Sequence, residues 1–118
     1  MSNCCCAKYR SCSGNCVYLA TGNVTATAVT EILPTKYCTA MDNGLFLVNM
    51  PTVGTGTLPV SLAFACDCPC NAESYPLYDP VTGLQVTAGQ LFAGSTYLIS
   101  WDKFSRKFYV HTPLVAAA

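Results

Sequence analysis

The sequence predicts an all-β protein: a single small β-sandwich or barrel, jelly-roll-like, of about seven to eight short strands behind an extended cysteine-rich N-terminal arm. Three observations carry that prediction. Tyr97, Ile99 and Trp101 alternate with Leu98, Ser100 and Asp102, the period-two pattern of a strand whose two faces meet different surroundings. Val60, Leu62, Phe64 and Cys66 alternate in the same way with Ser61, Ala63 and Ala65. Turn-forming Gly, Pro, Asn and Asp recur at intervals of about 8 to 12 residues, and no 11-residue window between Tyr75 and Thr112 repeats apolar residues at the spacing of an amphipathic helix.

Ser74 to Thr112 is the most legible stretch and reads as a four-stranded meander. Asp79-Pro80-Val81-Thr82-Gly83 has the chemistry of a turn, because Pro presets φ and Gly accepts a positive one. Gly89 and Gly94 punctuate the residues between that turn and the strand at Tyr97. Asp102 to Lys107 is a polar hairpin turn, with Phe108 to His111 returning as the partner strand.

Upstream, Val17 to Ala20 is a short strand and Thr21-Gly22-Asn23 a turn. Val24 to Leu33 reads as one strand from its β-branched content, ended by Pro34, which has no N–H for a ladder. Asn43-Gly44 signals a turn, Leu45 to Asn49 a strand, Pro51 to Gly56 a loop and Pro59 to Cys66 another strand. The organisation expected is an arm over residues 1–16, a β-sandwich over 17–112 and a small apolar tail over 113–118 that lies on a neighbouring subunit.

Composition narrows the functional classes. The chain has 118 residues, enough for one domain with one core. Its six basic and six acidic residues cancel, which argues against the clustered positive footprint of a nucleic-acid binder and against a polybasic membrane anchor. No apolar run approaches the ~18 to 20 residues of a membrane-spanning helix. The opening Met-Ser-Asn-Cys-Cys-Cys-Ala-Lys-Tyr-Arg lacks the apolar core of a secretory signal. The chain is accordingly read as a complete product made in a cytosol. Charged residues make up only 10% of it, against about 25% in ordinary globular domains. A surface so poor in charge is expected to be covered by neighbours.

Nine cysteines are the chief chemical oddity. Cys4, Cys5, Cys6, Cys12 and Cys16 lie in the arm, Cys66, Cys68 and Cys70 form a second cluster, and Cys38 stands alone. One reading is a structural zinc site built from Cys66, Cys68 and Cys70 with a thiolate from the arm, although paired Cys-x-x-Cys spacing is absent. A second is disulfides within or between subunits, from Cys4, Cys5, Cys6, Cys12 and Cys16. An odd count leaves at least one thiol unpaired or intermolecular, and such bonds would form only after release from a reducing cytosol. The third is free burial as a small hydrophobe, which suits Cys38 and Cys66.

Catalytic motifs are not evident. His111, the single histidine, could act as base to a cysteine nucleophile, but its place on a strand near the C-terminus suits a structural or solvent-facing role. Glu31, Asp42, Asp67, Glu73, Asp79 and Asp102 form no visible pair, and Gly54-x-Gly56 lacks the Lys and helix of a phosphate loop. Lys103, Arg106 and Lys107 gather half of the cations in one turn. That turn is either a solvated tip or a contact for an acidic partner. The aromatic residues from Tyr75 onward are read as core and cross-strand pairs.

Ser74-Tyr75-Pro76-Leu77-Tyr78-Asp79, Gly83 to Val86, Gly94-Ser95-Thr96-Tyr97-Leu98-Ile99 and Lys107-Phe108-Tyr109-Val110 together resemble a pattern in small all-β virion proteins of tailed bacteriophages from gut bacteria, of the capsid-decoration and head-fibre type. The likeness covers about the last third of the chain and does not include the cysteine arm. A weaker one is to bacterial endospore appendage subunits, whose N-terminal cysteine arm staples one β-sandwich to the next; Cys4, Cys5 and Cys6 fit that arm.

These readings combine into an expectation of a non-enzymatic structural virion protein, an accessory (decoration or cement) protein of a phage capsid. Its partners would be copies of itself or a major capsid protein, with no nucleic acid, membrane or cofactor. The alternatives are an extracellular filament subunit cross-linked through its N-terminal cysteines, and a small thiolate metal-binding module holding structural zinc.

Overall fold

The computed structural model describes residues 17–34, 43–64 and 74–115. All nine cysteines, the arm and the end of the tail lie outside them. The described residues form eight strands and one 3-10 turn, at Ala88–Gln90. The strands are β1 (Val17–Leu19), β2 (Thr21–Val24), β3 (Val29–Leu33), β4 (Asn43–Met50), β5 (Val60–Phe64), β6 (Ser74–Tyr78), β7 (Ser95–Asp102) and β8 (Lys107–Val110). No helix among them is long and apolar enough to cross a membrane. The predicted all-β architecture is what the described residues adopt.

The strands make one sheet in the order β1-β4-β7-β8-β6-β5-β3-β2, and it nearly closes on itself at two corners. One corner is β6. Its first half pairs with β5, Ser61 opposite Pro76, and its second half with β8, Leu77 opposite Phe108. Pro76 cannot donate to a ladder, so the change of partner falls where continuous pairing is already broken. At the other corner a single residue, Ala20, separates β1, which pairs with β4, from β2, which pairs with β3. Ala20 is buried and donates its N–H to the Asn49 carbonyl at 2.9 Å. The result is a flattened barrel with alternate residues of each strand turned inward.

Those inward residues are the ones the alternation marked. Val60, Leu62 and Phe64 are buried on β5, and Tyr97, Ile99 and Trp101 on β7. Aromatic rings fill one end of the core. Trp101 stacks edge-on against Phe64 at a centroid distance of 5.4 Å and packs on Phe108 at 4.7 Å and Tyr75 at 4.9 Å. Each such pair adds about 0.5–1.5 kcal/mol beyond its burial.

Four local expectations are corrected. Thr21-Gly22-Asn23 is strand β2, not a turn. The turn lies later, at Thr25–Ala28, where Thr25 Oγ1 accepts from the Ala28 N–H at 3.1 Å and the Thr27 N–H at 3.3 Å. Threonine side-chain bonding to the main chain competes here with β-propensity and splits Val24–Leu33 into a hairpin. Asn43-Gly44 opens β4 because the eight-residue β7 takes an eight-residue partner, from Asn43 opposite Asp102 to Met50 opposite Ser95. The meander also fails. β7 and β8 are the predicted hairpin, but β8 lies between β7 and β6 and runs parallel to β6. Gly83 to Val86 is no full strand: Gln85 makes a single antiparallel bridge with Tyr78, and Val86 donates to the Leu77 carbonyl while its own carbonyl accepts from Val60.

The tail is tied to its own domain as far as it is described. The Val115 N–H meets the Gln90 carbonyl at 3.3 Å, and Leu114 packs against the core.

Candidate functional site

The feature that stands out from ordinary packing is the outer face of β1, β4 and β7. Strand alternation and register place its residues in rows. Val17 lies beside Leu47, which faces Leu98. Leu19 lies beside Asn49, which faces Thr96, and Leu45 faces Ser100. Val17, Leu19 and Leu45 are exposed, Leu45 at 65%, and Leu47 and Leu98 are half-buried. Five aliphatic side chains thus share one pleated surface, with strands about 4.8 Å apart.

Polar pairs border this surface. On one side Asn49 Nδ2 donates to the Gly94 carbonyl at 2.8 Å and to Thr96 Oγ1 at 3.1 Å. On the other, His111 Nε2 and Ser100 Oγ are 2.8 Å apart. An apolar centre inside a polar rim is the anatomy of a contact surface. The signal was present in Val17-x-Leu19 and Leu45-x-Leu47, two short stretches with leucine or valine at successive outward positions. What the sequence lacked was the parallel pairing that sets those strands side by side.

Ser100 and His111 resemble a nucleophile and its base in spacing. Asp102, next along the same face, does not orient the imidazole: its Oδ1 accepts from the Phe104 N–H at 3.0 Å and its Oδ2 from Ser105 Oγ at 2.8 Å. The pair is a diagonal cross-strand contact, in keeping with the structural or solvent-facing role expected of His111.

The cationic turn lies at the end of this face. Lys103 and Arg106 are exposed, while Lys107 is half-buried with Nζ 4.8 Å from the centre of the Tyr78 ring. Asp102 anchors the turn. Its carboxyl is held below the ordinary carboxylate range, first by the Ser105 hydroxyl, against an opposing effect of desolvation, and further by main-chain donors and the charge of Lys107. The three cations are therefore on one turn, as the sequence implied, but Lys107 lies back against an aromatic ring.

Comparison of the chain with protein families, with curated proteins and with solved structures returned no match.

Two further features complete the surface and core. A groove of about 720 Å³ runs between the Asp79–Gln90 segment and the C-terminal strand, lined by Val81, Leu84, His111, Pro113, Leu114 and Val115 among others. Glu31, in the middle of β3, is fully buried. Among the described residues no group of three metal-ligating side chains comes together. The candidate ligands Cys66, Cys68 and Cys70 and the cross-link candidates Cys4, Cys5, Cys6, Cys12 and Cys16 lie outside those residues.

Proposed function

We propose that the protein is a non-enzymatic structural subunit of a virion, an accessory protein of a bacteriophage capsid that binds through the outer face of β1, β4 and β7. The observation that carries this reading is that face: Val17, Leu19, Leu45, Leu47 and Leu98, rimmed by polar pairs, with a cationic turn at one end. Water leaves such a surface at a gain of roughly 25 cal/mol per Å² before the costs of association. Repetition over a symmetric shell turns a modest contact into a stable coat.

The segments that resemble phage decoration proteins fall on β6, β7 and β8 and the Gly83–Val86 return, so they belong to the sheet that presents this face. A rigid barrel suits a part that seats on a lattice without changing shape. The partner is the major capsid protein or copies of the chain itself.

Mass spectrometry of gradient-purified virions, followed by addition of purified protein to particles that lack it, tests the proposal. The expected result is saturable binding that co-sediments with the particle. Absence from virions together with no binding to the shell overturns it.

A further inference from the structure

Glu31 is the one charged side chain buried in the described core. It sits between Val29 and Leu33 on β3, all three turned inward and fully buried. Its cross-strand neighbours are Gly22 on β2 and Leu62 on β5. Neither carboxylate oxygen has a hydrogen-bond partner among the described residues.

The described elements around it bring no charge. β2, β5, the Thr25–Ala28 turn and the Pro51–Pro59 connection contain no Asp, Glu, Lys, Arg or His. Among the described residues, the other titratable side chains turned toward the core are phenols: Tyr75 opposite Leu62, and Tyr18 and Tyr97 on β1 and β7. The described cations Lys103, Arg106 and Lys107 belong to the β7–β8 turn, and Lys8, Arg10 and Lys36 lie outside the described residues. A carboxyl group in such surroundings keeps its proton, because the ionised form would need water or a cation. Burial pushes its pKa up to about 7.

The cover over Glu31 is thin on one side. Gly22 has no side chain, and the main-chain carbonyl of Thr52 takes the place a Cβ would occupy, with Glu31 Oε2 3.1 Å from that point. β2 is four residues long, largely exposed, and last in the sheet order. It is the element that can yield at least cost.

We propose that Glu31 is a proton-operated latch on the β2–β3 corner: while it is neutral, β2 and the Pro51–Gly54 segment stay closed over it, and loss of its proton to solvent opens them to admit water. Only the O–H bond breaks, and the β4–β7–β8 ladder keeps its pairing. The inference stands apart from the virion reading, since it concerns the opposite end of the sheet order.

Hydrogen–deuterium exchange of the full chain at pH 5.5 and 8.5, corrected for intrinsic exchange rates and at constant reductant, tests it. Protection of the amides of β2 and of residues 51–54 is expected to fall at least tenfold at the higher pH relative to β7 and β8, and to be unchanged in Glu31→Gln. Equal protection at both pH values, or the same loss in Glu31→Gln, overturns the latch. Carbon-13 titration of the Glu31 carboxyl in the wild-type chain gives a second measurement that needs no variant to fold. A midpoint at or above pH 6 supports the proposal, and one below pH 6 overturns it.

Discussion

Gly22 and Glu31 face each other across the β2–β3 pair, and the side chain absent from one leaves the space that the carboxylate of the other approaches. A Cβ on Gly22 would collide with the Thr52 carbonyl and lie 3.1 Å from Glu31 Oε2. The strand glycine thus marks a close approach of another backbone, which its φ alone would not reveal. Gly22→Ala is expected to push the Pro51–Gly54 segment outward at a cost of about 1–3 kcal/mol, the range for overpacking. Urea unfolding measures this as a lower midpoint at unchanged slope. An unchanged midpoint would mean that Thr52 moves aside at no cost.

The raised pKa of Glu31 carries a sign. Its carboxyl titrates near 7 when folded against an ordinary 4.5, so the folded chain holds the proton more tightly than the unfolded one. Its contribution to stability is fully present below about pH 4.5 and is lost as pH rises through about 7. The loss is on the order of 3 kcal/mol, at about 1.4 kcal/mol per pH unit. Glu31→Leu is expected to flatten this part of the pH profile and to exceed the wild type in stability at pH 8, since replacing a buried charge with an apolar side chain of similar size is often stabilising. Urea midpoints for both chains from pH 4 to 9 check it. Parallel profiles would show that Glu31 does not titrate in this range.

Alternation made the core legible from the sequence: Val60, Leu62 and Phe64, and Tyr97, Ile99 and Trp101, needed only the period of two and apolar content to be placed inside. The Asp79–Gly83 turn was legible because its chemistry is local, with the Gly83 N–H meeting the Asp79 carbonyl at 2.8 Å and φ of 75° at Gly83. What escaped was decided at a distance. Asn43-Gly44 looks like a turn until β7 offers it eight residues of ladder. Glu31 looks like any surface carboxylate because its strand neighbours Thr30 and Ile32 do not tell which face is inward. The leucine face required β1 to lie parallel beside β4, a pairing between segments more than two dozen residues apart that no local pattern encodes.

Arg106 is the one non-glycine with a positive φ among the described residues, at 55°. It occupies the left-handed position in the turn that Asp102 anchors, where a side chain crowds the main chain and glycine does not. Arg106 is exposed, so little packing is lost with its side chain. Arg106→Gly is expected to raise stability by about 0.5–1 kcal/mol, the relief of strain exceeding the added entropy of the unfolded chain. Thermal unfolding checks it, and a lower midpoint would mean that the guanidinium makes a compensating contact.

The outer leucine face can be separated from surface hydrophobicity in general. Leu19 and Leu45 lie on it, whereas Val81 and Leu84, 90% and 69% exposed, lie on the turn after β6, away from its centre. Leu19→Glu and Leu45→Lys place charges where a partner would have to strip them of water. Each is expected to change folding stability by no more than about 0.5 kcal/mol, because the sites are exposed. Each should weaken binding to the shell, or self-association, by at least about tenfold, which corresponds to 1.4 kcal/mol. Val81→Lys and Leu84→Lys should leave binding unchanged while altering net charge just as much as Leu45→Lys. Sedimentation with and without particles measures all four. If the two turn variants weaken binding as strongly as the two face variants, the face is not the contact surface, and general apolar adhesion accounts for the association.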